Sequence, residues 1–201
     1  MVFHLGVETQ QFEDYIKHIA KTCLRDGASV IVDPVMADNG KLYTGFDMNF
    51  VKEMRGLVAT ADIVLPNITE ACFLTDTEYK ENYDKAYIEA IVAKLQAMGC
   101  KNIVFTGVSY AEGKTGVLVV ENGVASYYEH DTQPNSCHGT GDVYASAFVG
   151  AYVRGKSAYE AAKIAADYTV ECIKETAKDP GHWYGARFEP VLGKLIEMVN
   201  N

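Results

Sequence analysis

The chain is poor in features that would announce a function. Its cysteines number five (Cys23, Cys72, Cys100, Cys137 and Cys172), odd in count, scattered, and without a Cys-x-x-Cys pair. That pattern excludes a disulfide framework and the usual zinc spacing, and predicts free thiols in a reducing compartment, by default the cytoplasm. The five histidines show no ligand-type spacing, and His138, beside a glycine turn, reads as a hydrogen-bonding or packing residue rather than a metal ligand. No Gly-x-Ser-x-Gly elbow is present, so nucleophilic hydrolase chemistry has no support, although Cys137 merits a reactivity check. Positive charge is also scarce: 18 Lys and Arg stand against 27 Asp and Glu, a net charge of −9. Such a field repels a phosphate backbone, which argues against nucleic acid as a partner. The longest apolar stretch, Ala145 to Val153, is broken by Ser146 and Gly150. It falls far short of the roughly 20 residues that a membrane helix needs. The N-terminus has neither a basic leader nor a small-residue cleavage site.

What remains is the composition of an ordinary globular chain: 201 residues, 48% hydrophobic and 22% charged, enough for one domain with a proper core. Short apolar runs at Val2–Leu5, Ser29–Val32, Asp62–Leu65 and Asn102–Phe105 alternate with helical patterns. This predicts an α/β fold with a mainly parallel central sheet. Tyr87, Ile91, Leu95 and Met98 form one helical stripe that Gly99 ends. Thr115–Val120 and Val124–His130 flank Glu121-Asn122-Gly123, a hairpin signal. A long helix follows Gly141 with Val143, Ala147 and Ala151 on one side, stopping at Gly155. Ser157 and Glu160 form a capping box for the next, and a last amphipathic stretch runs from about Phe188 to Val199. The first strand starts almost at residue 1 with nothing before it to cover the sheet edge, and a missing N-terminal part is expected.

The most informative segment is Asn135-Ser136-Cys137-His138-Gly139-Thr140-Gly141-Asp142. Two glycines opening a helix leave backbone N–H groups uncovered, and with the helix dipole these form an anion site. Asp142, in the first turn, lies where it can take a proton from a hydroxyl attacking a phosphorus. The same residues also read as a glycine turn with a helix-capping Asp. Gly107 and Gly113, ahead of Lys114-Thr115, imitate a P-loop, but five residues separate them instead of four and a β run follows, so this is a turn. Asp33-Pro34-Val35-Met36-Ala37-Asp38 follows a strand, where ligands of open α/β sheets collect, and two acids there suit a cation or phosphate. Asp33 can equally cap the turn before Pro34. Asn67-Ile68-Thr69-Glu70 follows the next strand through Pro66 and doubles as a helix N-terminal box, so pure capping is the stronger reading there. Yet three strand ends, at Asp33, at Asn67 and Glu70, and at Thr106-Gly107, bring polar groups to one edge of one sheet.

Asp33-Pro34-Val35-Met36, Pro66-Asn67-Ile68-Thr69-Glu70-Ala71 and Gly139-Thr140-Gly141-Asp142, in this order, resemble the signature series of the ribokinase superfamily. The resemblance is nearest to its pyridoxal/pyridoxamine kinase branch and covers nearly the whole chain from about Phe3. It implies a three-layer ribokinase-like fold, and transfer of the γ-phosphoryl group of ATP to the 5′-hydroxymethyl of pyridoxal, pyridoxine or pyridoxamine, a vitamin B6 salvage step giving pyridoxal 5′-phosphate from pyridoxal. By the resemblance Asp142 is the catalytic base and the amides of Gly139, Thr140 and Gly141 stabilise the transferring phosphoryl group. Asp33, Asp38 and Glu70 act around magnesium (Mg2+) and the ATP phosphates, with Asp33 and Glu70 nearest the metal, partly through water. Asn67 holds a phosphate, and Thr106 and Gly107 line the nucleotide groove. Gly40 to Thr44 is implied to be a mobile flap. Family members are usually homodimers, and whether a monovalent cation assists stays open. Full-length relatives carry further elements ahead of the position of Met1 that supply much of the vitamin pocket. Ala37 stands where relatives often have Gly. Two alternatives remain: a hydroxymethylpyrimidine or other small-alcohol kinase of the superfamily, whose pyrimidine members often have Cys at the position of Asp142, and a nucleotide-binding remnant without turnover.

Overall fold

A computed structural model of the chain describes residues 2–4, 18, 22, 27–134 and 137–201. Leu5, Cys23, Asn135 and Ser136 lie outside the described residues. Four strands run parallel: β1 (Val2–His4), β2 (Ile31–Asp33), β5 (Ile63–Val64) and β6 (Asn102–Val108). Two more, β7 (Lys114–Glu121) and β8 (Val124–Asp131), continue the sheet antiparallel, in the order β1-β2-β5-β6-β7-β8. The strands therefore read as unbroken apolar runs because both faces are covered. Val32, Val64, Ile103 and Phe105 point into one core, Ile31, Ile63 and Val104 into the other, as the period of two requires.

The first core is closed by α1 (Met48–Val58), α2 (Ile68–Leu74) and α3 (Lys85–Ala97), the second by α4 (Thr140–Val153) and α5 (Ala158–Thr176). Helices on both faces of a mainly parallel sheet are the predicted architecture. The β7–β8 turn is tighter than the sequence suggests. Glu121 pairs with Val124, leaving Asn122 and Gly123 as a two-residue turn with φ of 51° and 80°, the arrangement for which Asn-Gly is favoured.

Two helical stripes shift by a residue. On α3 the buried set is Ile88, Ile91, Val92 and Leu95, and Tyr87 sits at the margin because its hydroxyl needs partners. It donates to the Glu78 carbonyl at 2.6 Å and lies 3.1 Å from Cys72 Sγ. On α4 Tyr144, Ala147, Phe148 and Ala151 are buried and Val143 only partly. The last stretch divides into a 3-10 turn, Glu189–Val191, and α6 (Leu192–Asn200). The Ser157–Glu160 capping box is formed as expected, the Glu160 amide donating to Ser157 Oγ and the Ser157 amide to Glu160 Oε2. Ser157→Ala is expected to lower the unfolding free energy by about 1 kcal/mol in urea denaturation, with Ser157→Thr recovering most of it.

Sequence reading missed α1 and a small antiparallel hairpin, β3 (Ala37–Asp38) with β4 (Lys41–Leu42). Gly40, the start of the expected flap, is in the hairpin turn with Asn39. Gly107 and Gly113 bracket the β6–β7 connection, and Lys114-Thr115 opens β7, as a turn and not a P-loop demands.

Candidate active site

The carboxyl ends of β2, β5 and β6 deliver the three polar segments to one place. β2 ends on Asp33 itself. After β5, Pro66 leads into Asn67, whose extended backbone makes it the N-cap of α2. Thr106 donates its amide to the Pro66 carbonyl at 3.0 Å and bridges to Asn67. At Gly107, φ of 73° accompanies an irregularity in the β6–β7 pairing, and only glycine adopts that backbone without strain. Facing these ends is the start of α4. Its N-cap, Gly139, has φ of 80°, and makes no side-chain cap hydrogen bond. The helix start is open, and a Cβ on Gly141 would meet nothing within 4 Å. This is the geometry of an anion site.

All ten residues singled out from sequence line one cavity of about 560 Å³: Asp33, Asp38, Asn67, Glu70, Thr106, Gly107, Gly139, Thr140, Gly141 and Asp142. Tyr43, from the segment expected as a flap, lines it too, as do Thr115, Thr169 and Ile173, which sequence reasoning did not assign. Thr169 and Ile173 belong to α5, far along the chain from any motif, and no local pattern marks them. Cys137 and His138 also border the cavity.

The charge in this cavity is one-sided. Its described lining residues include four carboxylates and no lysine or arginine. Asp33 is 8% exposed, and burial, then the negative charge of Asp142, pushes its carboxyl up to about 7. Glu70, 3% exposed, is held well above the usual carboxylate range by burial and then by Asp33, against hydrogen bonds from the Asn67, Met36 and Ala37 amides. The same field reaches Tyr43, whose hydroxyl is raised by burial first and then by Asp38, Glu70, Asp33 and Asp142. Buried carboxylates crowded together favour a cation between them. The donor set, oxygen only, suits a hard ion such as magnesium. No cluster of three or more metal-ligating side chains exists among the described residues, so most of such an ion's shell would come from water or a bound phosphate.

Asn67 and Glu70 carry a structural duty as well. Glu70 Oε2 accepts the Asn67 amide at 2.8 Å and Asn67 Oδ1 accepts the Glu70 amide at 2.9 Å, a complete capping box. Asn67 Nδ2 donates to the Ala37 carbonyl at 2.8 Å, and Glu70 Oε1 accepts the Met36 amide at 3.2 Å. Capping is therefore real, and the same two side chains tie the segment bearing Asp38 to α2. The described thiols are free, with Cys72, Cys100 and Cys172 buried and Cys137 half-buried. No helix among the described residues is long and apolar enough to cross a membrane.

Known proteins resemble this chain in sequence and in fold. A curated hydroxymethylpyrimidine/phosphomethylpyrimidine kinase of Aquifex aeolicus (strain VF5) is 27% identical over 154 residues, 74% of this chain. The chain spans 58% of the length of that relative. A crystal structure assigned to the phosphomethylpyrimidine kinases, from Bacteroides thetaiotaomicron VPI-5482, matches in its rhombohedral form with a TM-score of 0.88 and 28% identity, over 95% of this chain and 67% of that one. Its orthorhombic form, with pyridoxal, matches with a TM-score of 0.77 and 30% identity, over 96% and 66%. Pyridoxal kinase from Lactobacillus plantarum matches with a TM-score of 0.80 and 29% identity, over 94% and 66%. The family model for phosphomethylpyrimidine kinase matches residues 11–187, and the chain belongs to that family.

Proposed function

We propose that the chain catalyses transfer of the γ-phosphoryl group of ATP to the 5′-hydroxymethyl group of a B6 vitamer. The observation that carries this reading is the meeting of the α4 N-terminus and its Asp142 with the carboxylates at the ends of β2 and β5, in one cavity. The acceptor oxygen attacks the γ-phosphorus, and its new bond forms as the bond to the β,γ-bridging oxygen breaks. The hydroxyl proton passes to the Asp142 carboxylate, and ADP leaves with the bridging electron pair. The amides of Gly139, Thr140 and Gly141 face the charge on the transferring oxygens. Such amides are fixed in place before the reaction, so little reorganisation is needed as charge develops. Asp33 and Glu70 would hold magnesium, which neutralises phosphate charge in transfers of this kind. Asp38, on the hairpin, and Thr106 with Gly107, on β6, line the nucleotide side. Proton removal at Asp142 and positioning suffice, since phosphoryl transfer asks little covalent chemistry of a protein.

Two features support a B6 vitamer over a pyrimidine: the aspartate at position 142, where pyrimidine kinases of the superfamily often have cysteine, and the relative crystallised with pyridoxal. Hydroxymethylpyrimidine is the second reading, favoured by the family's own description and by the Aquifex relative. Release of ADP, measured with ATP and magnesium against pyridoxal, pyridoxine, pyridoxamine and hydroxymethylpyrimidine, separates them. We expect kcat/KM for the best vitamer to exceed that for the pyrimidine at least tenfold. The reverse ratio transfers the assignment to the pyrimidine, and ADP binding without turnover would leave a nucleotide-binding remnant.

A further inference from the structure

Several contacts outside the cavity converge on the first turn of α2 and on the segment joining α2 to α3. Tyr79 lies beneath the tip of the β3–β4 hairpin, so close that a Cβ on Gly40 would stand 2.7 Å from its ring. The Gly40 amide donates to Thr69 Oγ1 at 3.1 Å, and Thr69 is 2% exposed. A few residues on, the Tyr83 hydroxyl accepts the Ser109 amide at 2.9 Å. Ser109 Oγ then donates to the Lys114 carbonyl at 2.7 Å, fixing the connection after Gly107. The segment is itself braced by α3. Tyr87 donates to the Glu78 carbonyl and stacks on Tyr83 at 5.7 Å, while Lys94 Nζ donates to Thr77 Oγ1 at 2.8 Å.

Thr69, Tyr79 and Tyr83 do not line the cavity, yet they hold the hairpin that bears Asp38 and leads to Tyr43, and the connection whose two flanks, Gly107 and Thr115, line it. We propose that Thr69, Tyr79 and Tyr83 are positioning residues: the first turn of α2 and the braced segment after it fix the hairpin tip and the post-β6 loop relative to each other, and so set the width of the nucleotide side of the cavity. The consequence for turnover rests on the phosphoryl-transfer reading above. The anchoring itself does not.

The two levels are tested separately. Thr69→Val keeps the shape and removes the acceptor of the Gly40 amide, and Tyr83→Phe does the same for the Ser109 amide. Hydrogen exchange resolved to single amides should accelerate at least tenfold at Gly40 in the first variant and at Ser109 in the second, with thermal melting little changed. Thr69→Ser should restore the slow rate. Unchanged exchange at both amides overturns the anchoring, whether or not the protein is a kinase. In turnover, each variant should raise KM for ATP about five- to tenfold with kcat within about twofold, the signature of a displaced binding loop and not of lost chemistry. Faster exchange with an unchanged KM in a protein that turns over would overturn the positioning role. A wild type without turnover would count against the phosphoryl-transfer reading and leave the exchange result to decide the anchoring. In that case an unchanged Kd for ADP in both variants overturns the positioning role.

Discussion

Asp142→Asn is expected to lower kcat by about 10²- to 10⁴-fold, the range lost with a general base, while KM for ATP changes less than about threefold. Asparagine keeps the size of the side chain and its place in the first turn of α4, so the amides there stay where they are. What disappears is the capacity to accept a proton. A loss confined to kcat is the pattern of an interaction made only as the hydroxyl attacks. Removing a negative charge beside Asp33 also relieves one of the repulsions acting on that buried carboxyl, which favours tighter nucleotide binding if anything. Steady-state rates with the best acceptor decide this. A kcat within tenfold of wild type would remove Asp142 from the role of base.

Glu70→Ala acts on folding and function together. The variant strands the Met36 and Asn67 amides, both of which donate to the Glu70 carboxylate, at a position where Glu70 is buried. An unsatisfied buried donor costs about 1–3 kcal/mol, so the two together should lower the unfolding free energy by about 2–6 kcal/mol in urea denaturation. Relief of the repulsion between Glu70 and Asp33 offsets part of this. Glu70→Gln retains one acceptor oxygen and should lose roughly half as much, by the same per-bond cost. Because the charge is gone in both variants, turnover should drop in both, and Glu70→Gln separates the charge from the fold. If Glu70→Ala were as stable as wild type, the tie between α2 and the hairpin segment would carry no weight.

The chain's layers were legible because their signals are strong and local. Apolar runs buried on both sides, a glycine after α3, and a Ser-x-x-Glu box each have one physical meaning. The site was legible for a different reason: polar groups at consecutive parallel strand ends must share an edge, so Asp33, Asn67 with Glu70, and Thr106 with Gly107 converge once the sheet is right. The β3–β4 hairpin escaped notice although Asn39-Gly40 carries the same Asn-Gly signal as Asn122-Gly123. Strands of two residues are too short to show alternation. The α1 helix was missed because Asp47, its N-cap, has Phe50 rather than Glu or Gln three residues on. Val51, Met54 and Val58 do carry a helical period that would have revealed it. The tyrosine at the margin of α3 shows a limit of apolar periodicity: it counts Tyr87 as core, whereas a hydroxyl that must be satisfied pulls the ring to the edge of the stripe. The contribution of α5 to the cavity was out of reach, since Thr169 and Ile173 enter it through the packing of α5 against α4 and β7.

Phosphorus-31 NMR of the protein with ATP, magnesium and pyridoxal tests the central claim most directly, because it sees the transferred group itself. The account predicts a phosphate monoester resonance growing in step with that of ADP, and no such growth in Asp142→Asn over the same period. ATP that stays intact, or inorganic phosphate appearing in place of the ester, would contradict it.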